Sequence, residues 1–225
     1  MFRRIQHFVF LVALAAIAFA SAPAAAQQAE QDIVDKARMA VQNLRGDPDF
    51  PTLNQALDRA KAVLVIPSLL KAGFILGGEG GSGVLLVRTA SGWSNPAFYT
   101  MASGSIGLQV GAQDAEVILT VMTDKGLDQV IKNQFKLGAD ASIAVGPKGM
   151  GVEAATTPAL GADIYSFART RGVFAGGSFE GSYISAREEW NRNYYGQALS
   201  VEDIVLHGKG NAPGADALKQ ALGPR

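Results

Sequence analysis

The chain has no cysteine and only two histidines among its 225 residues. The absence of cysteine excludes disulfides, a lipid-modified cysteine, cysteine ligation of a metal and a thiol nucleophile. Beyond residue 26 the remaining histidine is His207, so a zinc site lacks its usual ligands and a Ser-His-Asp triad would depend on this one residue. No Gly-x-Ser-x-Gly elbow accompanies it. These absences favour a non-catalytic protein without metal or cofactor.

The chain also lacks an apolar run long enough to cross a membrane. Its longest, Phe8 to Ala20, has 13 residues, well below the roughly 20 that span a bilayer. Arg3 and Arg4 precede this run and small residues ending at Ala26 follow it, which is the layout of a secretory signal peptide. The sequence therefore predicts cleavage after Ala26 and a periplasmic or secreted envelope protein. Arg3-Arg4 leaves a twin-arginine signal open as an alternative.

The chain also lacks a large excess of charge of either sign. Residues 27–225 carry 18 basic and 20 acidic side chains, a net charge of about −2, which argues against a nucleic-acid partner. No Pro/Ser-rich linker divides this stretch, and its length suits one domain. We therefore expect a single domain over residues 27–208. The Gly/Pro/Ala-rich residues 209–225 predict a flexible C-terminal tail.

Glycine is abundant, and all 26 glycines follow residue 45. Many of them alternate with apolar residues in short segments that are typical of antiparallel strands, such as Ser105 to Gln113. Glycine weakens a strand unless the sheet bends sharply or another backbone packs close to it. The sequence therefore predicts an α+β fold, a curved glycine-rich antiparallel sheet or barrel-like sandwich with flanking α-helices.

Several further elements can be predicted from periodicity and turn residues. Helices are expected at Glu30 to Leu44, after Thr52 with a Thr52/Gln55 capping box, at Asp124 to Leu137, and after Ser200, which is followed by Asp203. Two hairpins are expected, and they would pair Ala141–Val145 with Met150–Thr156 and Ile164–Arg169 with Val173–Ile184.

Two patterns that could carry chemistry are weak. The run Gly78 to Gly83 matches Gly-x-Gly-x-x-Gly, but a strand-like segment follows it where a dinucleotide site needs a helix. The distant carboxylates Glu79, Asp140 and Glu180 leave a glycosidase-like hydrolase open, because only the fold decides their separation.

Basic residues lie near predicted strand ends, among them Lys61, Lys71, Arg169 and Arg171. If they converge, they form a patch for anionic headgroups, and each cation contributes about 1 kcal/mol near an anionic membrane. If they are scattered, they are solubilising charges. Spacing alone does not decide between these two interpretations.

Ordered sequence blocks over residues 33–196 resemble the SYLF domain family. They are Ala60 to Ser68, Lys71 to Phe74, Gly92 to Phe98, Gly107 to Gln113, Leu137 to Ser142, Ser166 to Gly176, and Glu180-Gly181. The resemblance implies a lipid-binding module. Eukaryotic members bind phosphoinositides and, in yeast actin-patch proteins, actin filaments, and an N-terminal amphipathic helix contributes to membrane binding. The matching stretch here is Glu30 to Arg45, whose basic residues are offset by acidic ones.

The resemblance and the export signal together predict a non-catalytic module of the bacterial envelope that binds phospholipid or an anionic membrane surface. Actin and phosphoinositides are not expected there. The candidate headgroup residues are Lys61, Lys71, Arg169 and Arg171, and Trp93, Phe98 and Phe174 are candidate aromatic residues of a lipid site. The alternatives are an envelope interaction module with a protein partner and the carboxylate hydrolase.

Overall fold

The computed structural model describes residues 27–73, 76–106, 111–146, 161–171 and 179–224. Among the described elements two helices precede a run of five strands, one helix separates this run from four further strands, and the remaining helices follow. The strands are β1 Ala62–Gly73, β2 Leu76–Thr89, β3 Gly92–Trp93, β4 Ala97–Ile106, β5 Gly111–Val121, β6 Gln134–Lys136, β7 Ile143–Val145, β8 Ile164–Arg171 and β9 Tyr183–Ala186. The helices are α1 at residues 27–45, α2 Leu53–Arg59, α3 Asp124–Val130, α4 Glu188–Tyr195, α5 Val201–Val205 and α6 Asp216–Leu222, with a 3₁₀ turn at Pro213–Ala215.

The described strands form one strongly curled mixed sheet with the order β6-β9-β4-β2-β1-β5-β8-β7, and β3 pairs with β2. All pairs are antiparallel except β7 with β8. The two ends of the sheet approach each other through a bridge between Leu137, which follows β6, and Ala141, which precedes β7. The predicted α+β class with a curved sheet and flanking helices is confirmed.

Each face of the sheet packs against its own hydrophobic core. On one face α1, α2, α4 and α6 cover strand residues that include Val65, Leu86 and Phe98. The other face encloses residues from the curled strands, such as Leu64 and Met101, together with α3 and α5. Burial on both faces explains why the middle of β1 is a continuous apolar run.

Several sequence predictions are wrong in their boundaries or pairings. Ser105 to Gln113 is not one strand, because β4 ends at Ile106 and β5 begins at Gly111. The helix expected through Leu137 ends at Val130, and Phe135 lies on β6, where it is buried. Thr52 precedes α2 but makes no side-chain cap, whereas Ser200 does cap α5 by accepting a hydrogen bond from Asp203 N.

The described strands of the two predicted hairpins pair with other strands. β7 pairs with β8 in parallel, and Met150 to Thr156 lies outside the described residues. β9, the described end of the second predicted hairpin, pairs with β4 and β6. The partners that these strands select are remote in sequence, so local turn residues could not identify them.

The C-terminal segment, predicted as a flexible tail, is packed against the domain. Leu218 and Leu222 of α6 are buried in the helix-covered core. Trp93 Nε1 donates to Gly223 O at 3.0 Å, and Arg45 Nη1 donates to Ala221 O at 2.6 Å. Because these donors satisfy carbonyls at the end of α6, residues 213–224 are part of the fold.

A bulge in the central strand accounts for two of the glycines. The register of β1 shifts between Val65 and Ser68 against β2, and Pro67 lies inside the shift. A Cβ at Gly81 would collide with Ser68 O, and one at Gly83 would collide with Val65 O. The bulged backbone therefore lies so close to β2 that only glycine fits at these two positions.

Asp163 connects three elements at the closing end of the sheet. Its Oδ1 accepts from Thr123 Oγ1 at 2.6 Å, and its Oδ2 accepts from Ser142 N at 3.0 Å and Ser142 Oγ at 2.8 Å. Lys125 Nζ lies 3.2 Å from Oδ2. Burial alone would raise the pKa of Asp163, but these hydrogen bonds hold that pKa well below its usual range. The ionised carboxylate thus joins α3, the start of β7 and the start of β8.

We predict that Gly83→Ala lowers the free energy of unfolding by about 1–3 kcal/mol, because the added methyl group overpacks the bulge. Gly104→Ala is the matched control, since no heavy atom of the described chain lies within 4 Å of a Cβ there. It should leave stability unchanged or raise it by about 0.5 kcal/mol. Urea unfolding of the three proteins measures both effects. Equal stabilities for the two variants would contradict the account of the bulge.

We predict that Asp163→Asn lowers the free energy of unfolding at pH 7 by about 2 kcal/mol, through the loss of hydrogen bonds to a charged acceptor. Because folding lowers the pKa of Asp163, its stabilising effect is complete above the unfolded-state value of about 3.9 and decreases as the pH falls below it. The difference between wild type and variant should therefore shrink below about pH 4 in urea unfolding. The exposed Asp128→Asn serves as control. A pH-independent difference would contradict this role.

Candidate functional site

The central strands extend beyond both cores. We call residues 70–73 of β1, 76–82 of β2, 102–106 of β4 and 111–115 of β5 the distal sheet. Among those whose side chains the structure describes, residues 70, 78–82, 102–104, 114 and 115, none is a buried member of either core. With a rise of about 3.3 Å per residue, its longest strand segment projects by roughly 20 Å. The helices pack against the opposite half of the strands.

The register gives the two faces of the distal sheet different compositions. On the face that continues the helix-covered side, small residues predominate between β1 and β4, and the aligned positions are Leu70, Gly78, Gly80, Ala102 and Gly104. The inner face carries a polar row that includes Glu79 and Ser103. Within this row Ser103 Oγ donates to Glu79 Oε1 at 2.7 Å. The face that bears Leu70 is therefore built mainly from small residues on its β2 and β4 side, and Asp114 pairs with Leu70 on its β5 side.

Two of the predicted headgroup residues lie at opposite ends of β1. Lys61 directly precedes β1, and its Nζ lies 2.7 Å from Asp124 Oδ1. Lys71 lies in the distal sheet opposite Glu79 and Gln113. Ten residues of strand separate the two lysines by roughly 33 Å. They cannot contact the same headgroup.

The two predicted arginines lie on β8, beside the distal sheet. Arg169 is engaged by two carboxylates, with Nη1 3.5 Å from Glu116 Oε2 and Nε 3.4 Å from Asp47 Oδ2. The register places Arg171 opposite Asp114. Of the four predicted cations, Arg169 and Arg171 are nearest to one another, because they are two residues apart on β8, whereas Lys71 lies two strands away on β1.

The predicted aromatic residues lie elsewhere. Phe98 is fully buried, and its ring contacts Trp190 and Tyr194 edge-on. Trp93 is buried with the Arg88 guanidinium 3.8 Å above its ring. Phe174 lies outside the described residues. Packing in the helix-covered core accounts for the aromatic side chains of Trp93 and Phe98. A lipid contact for any of the three residues stays a prediction.

Helix α1 contains the stretch that matches the membrane-binding helix of the resembling family. Its apolar residues Val34, Ala37, Val41 and Leu44 are completely buried in the helix-covered core. A helix that lies on a membrane must present this kind of face to lipid. In the described conformation the apolar face of α1 is therefore used for folding.

The candidate catalytic carboxylates are engaged in the fold. Asp140 Oδ2 accepts from Lys136 N at 2.6 Å in the turn after β6, and Glu180 lies beside Gly138 of the same turn. Glu79 lies on β2. Among the described residues no group of three His, Cys, Asp or Glu residues is arranged to hold a metal.

None of the described helices is both long enough and apolar enough to cross a membrane.

Sequence reasoning missed Leu70, whose side chain is 60% exposed. It follows the buried apolar residues 62–67 and Leu69 in the same strand, so composition does not distinguish it from them. The signal that could have found it is Pro67, because a proline in a central strand indicates a bulge that changes the register of the following residues.

A comparison with protein-family models matches residues 102–224, more than half of the chain, to Ysc84, described as a Las17-binding protein actin regulator. The matched region includes α6, in agreement with its packing against the domain.

Curated relatives agree with this match. The SH3 domain-containing YSC84-like protein 1 of Rattus norvegicus is 32% identical over 164 residues, which cover 72% of this chain and 48% of the relative. LAS seventeen-binding protein 3 of Saccharomyces cerevisiae is 34% identical over 174 residues, 75% of this chain and 38% of the relative. The chain spans less than half the length of these relatives. The name of the yeast relative describes a binding protein.

The family model and the relatives confirm the resemblance inferred from the sequence blocks. The chain belongs to the Ysc84, or SYLF domain, family.

Proposed function

We propose that this chain is a non-catalytic binding module of the bacterial envelope, and that its distal sheet docks on a phospholipid surface with anionic headgroups. The observation that carries the proposal is Leu70, a large apolar side chain that is 60% exposed on a sheet extension outside both cores. The predicted signal peptide supports export.

The surroundings of Leu70 suit an interface between apolar and charged phases. On its β2 and β4 side the face is built from glycine and alanine positions, and on its β5 side Leu70 is paired with Asp114. Lys71 follows it in β1, and Arg171 lies two strands away at the same end of the sheet. Each cation contributes about 1 kcal/mol near an anionic surface, and a fully buried leucine contributes about 1.5–3 kcal/mol. These modest contributions predict reversible binding.

The placement of the other predicted cations restricts this proposal. Lys61 and Arg169 are paired with carboxylates, and Lys61 lies at the far end of β1. We therefore assign the headgroup contacts to Lys71 and Arg171, and the apolar contact to Leu70.

A protein partner is the second candidate function, and one observation favours it. β9 pairs with β4 only as far as Ala102, so within the described residues positions 103–106 lack a strand on their outer side. An extended segment of a partner could add to such an edge. Binding to an envelope protein with no affinity for vesicles would support this alternative.

We predict that the purified protein sediments with vesicles containing an anionic phospholipid and that Lys71→Gln and Arg171→Gln each weaken this binding about fivefold at low salt. High salt should weaken wild-type binding because it screens exposed charges. Lys36→Gln, which removes an exposed cation of α1, is the matched control. Binding that is insensitive to both distal substitutions would refute the assigned headgroup contacts.

We predict that Leu70→Ser weakens vesicle binding about tenfold without unfolding the domain, because Leu70 is exposed in the free protein and buried only in lipid. Leu206→Ser is the control, since Leu206 is 42% exposed after α5 and outside the distal sheet. Co-sedimentation with mixed vesicles measures the change. Equal effects of the two substitutions would point to general surface hydrophobicity instead.

A further inference from the structure

A cleft of about 250 Å³ lies apart from the distal sheet, beside α4. It is formed by the loop after α3, by one side of α4 and by the residues that precede α5. Its lining includes Asn133 in the loop, Glu188 and Arg192 on α4, and Ala198, Leu199 and Ser200 before α5. Its size is below the roughly 300 Å³ at which pockets for drug-sized ligands begin, so it suits a small molecule or a headgroup.

The walls of the cleft are held by the fold. Asn133 O accepts from Ala186 N at 2.7 Å, and Asn133 Nδ2 donates to Glu188 Oε1 at 2.9 Å. On the other side Ser200 caps α5, and Val201 is buried in the core. Asn133, Glu188 and Ser200 are therefore positioned before any ligand arrives.

Two opposite charges face this cleft without neutralising each other. Glu188 and Arg192 are four residues apart on α4, the spacing and order that favour an ion pair on a helix. In the described part of the chain no ion pair within 4.0 Å joins them, and Arg192 makes no hydrogen bond. Asn133 instead holds the Glu188 carboxylate. The site thus presents an anion and a cation separated along the helix by a rise of about 6 Å.

The remaining lining fits what would connect two such charges. Ala198 and Leu199 provide an apolar wall suited to methylene groups. Ser200 Oγ accepts from Asp203 N at 3.1 Å, which leaves its O–H free to donate to an anion. A ligand that matches the whole lining carries an ammonium group for Glu188, an acidic group for Arg192 and Ser200, and a short aliphatic spacer.

We propose that this cleft binds a small zwitterion of the phosphoethanolamine type, either as a free compound or as the headgroup of a lipid. None of its residues belongs to the distal sheet, so this site and membrane docking can fail independently. Both charges are required, because either one alone satisfies only half of the lining.

The test uses ¹⁵N–¹H spectra of the purified protein titrated with O-phosphoethanolamine, and separately with inorganic phosphate and with ethanolamine. Saturable shifts at the amides of Ala198 to Val201 are expected with O-phosphoethanolamine. Glu188→Gln and Arg192→Gln should each weaken binding at least tenfold, since each removes a contact between charged groups. Glu189→Gln on α4 and Arg38→Gln on α1 are the matched controls, and the spectra also report whether each variant is folded.

Absence of saturable shifts, or equal affinity for phosphate alone, would overturn the proposal. A second arm separates the two sources of the ligand by comparing vesicles with phosphatidylethanolamine and vesicles with phosphatidylcholine. Vesicle binding that requires phosphatidylethanolamine and Glu188 assigns the site to a lipid headgroup. Binding of the free compound without such a preference assigns it to a soluble zwitterion.

Discussion

The close approach of β1 to β2 at the bulge between Val65 and Ser68 determines much of this structure. It is permitted only because residues 81 and 83 are glycine, and it lies where the strands leave the cores. Before the bulge, β1 is covered on both faces, whereas beyond it Leu70 is exposed. A bulge bends a strand and increases its twist. The same irregularity therefore separates the part of the sheet that stabilises the fold from the part that is free to bind.

The fold class could be predicted because alternation and glycine content depend on local geometry. The same alternation led to the wrong prediction of one continuous strand at residues 105–113. The end of β4 and the start of β5 have similar glycine-spaced residues, and no Asn-Gly or Asp-Gly turn marks the boundary between them. Strand partners could not be predicted, because β9 finds β4 and β6 far away in sequence. The glycine- and proline-rich C-terminal segment looked loose, but the carbonyl acceptors that Arg45 and Trp93 bind are invisible to composition.

In the candidate site too, some features could be predicted from the sequence and others depend on packing. Basic residues near strand ends could be found from sequence, but which carboxylates they meet depends on packing, and this removes Lys61 and Arg169 from the list of available headgroup contacts. The burial of α1 has a similar consequence. Because its apolar face completes the core, membrane docking through α1 would require part of the domain to open. Docking through the distal sheet requires no such cost.

Amide hydrogen exchange with and without anionic vesicles tests this central claim most directly. Docking through the distal sheet predicts that the bound protein gains protection at residues 76–82 and 102–106, while the exchange of α1, residues 27–45, is unchanged. Faster exchange of α1 on binding, with no new protection in the distal sheet, would show that the helix leaves the core to enter the membrane and would contradict the account.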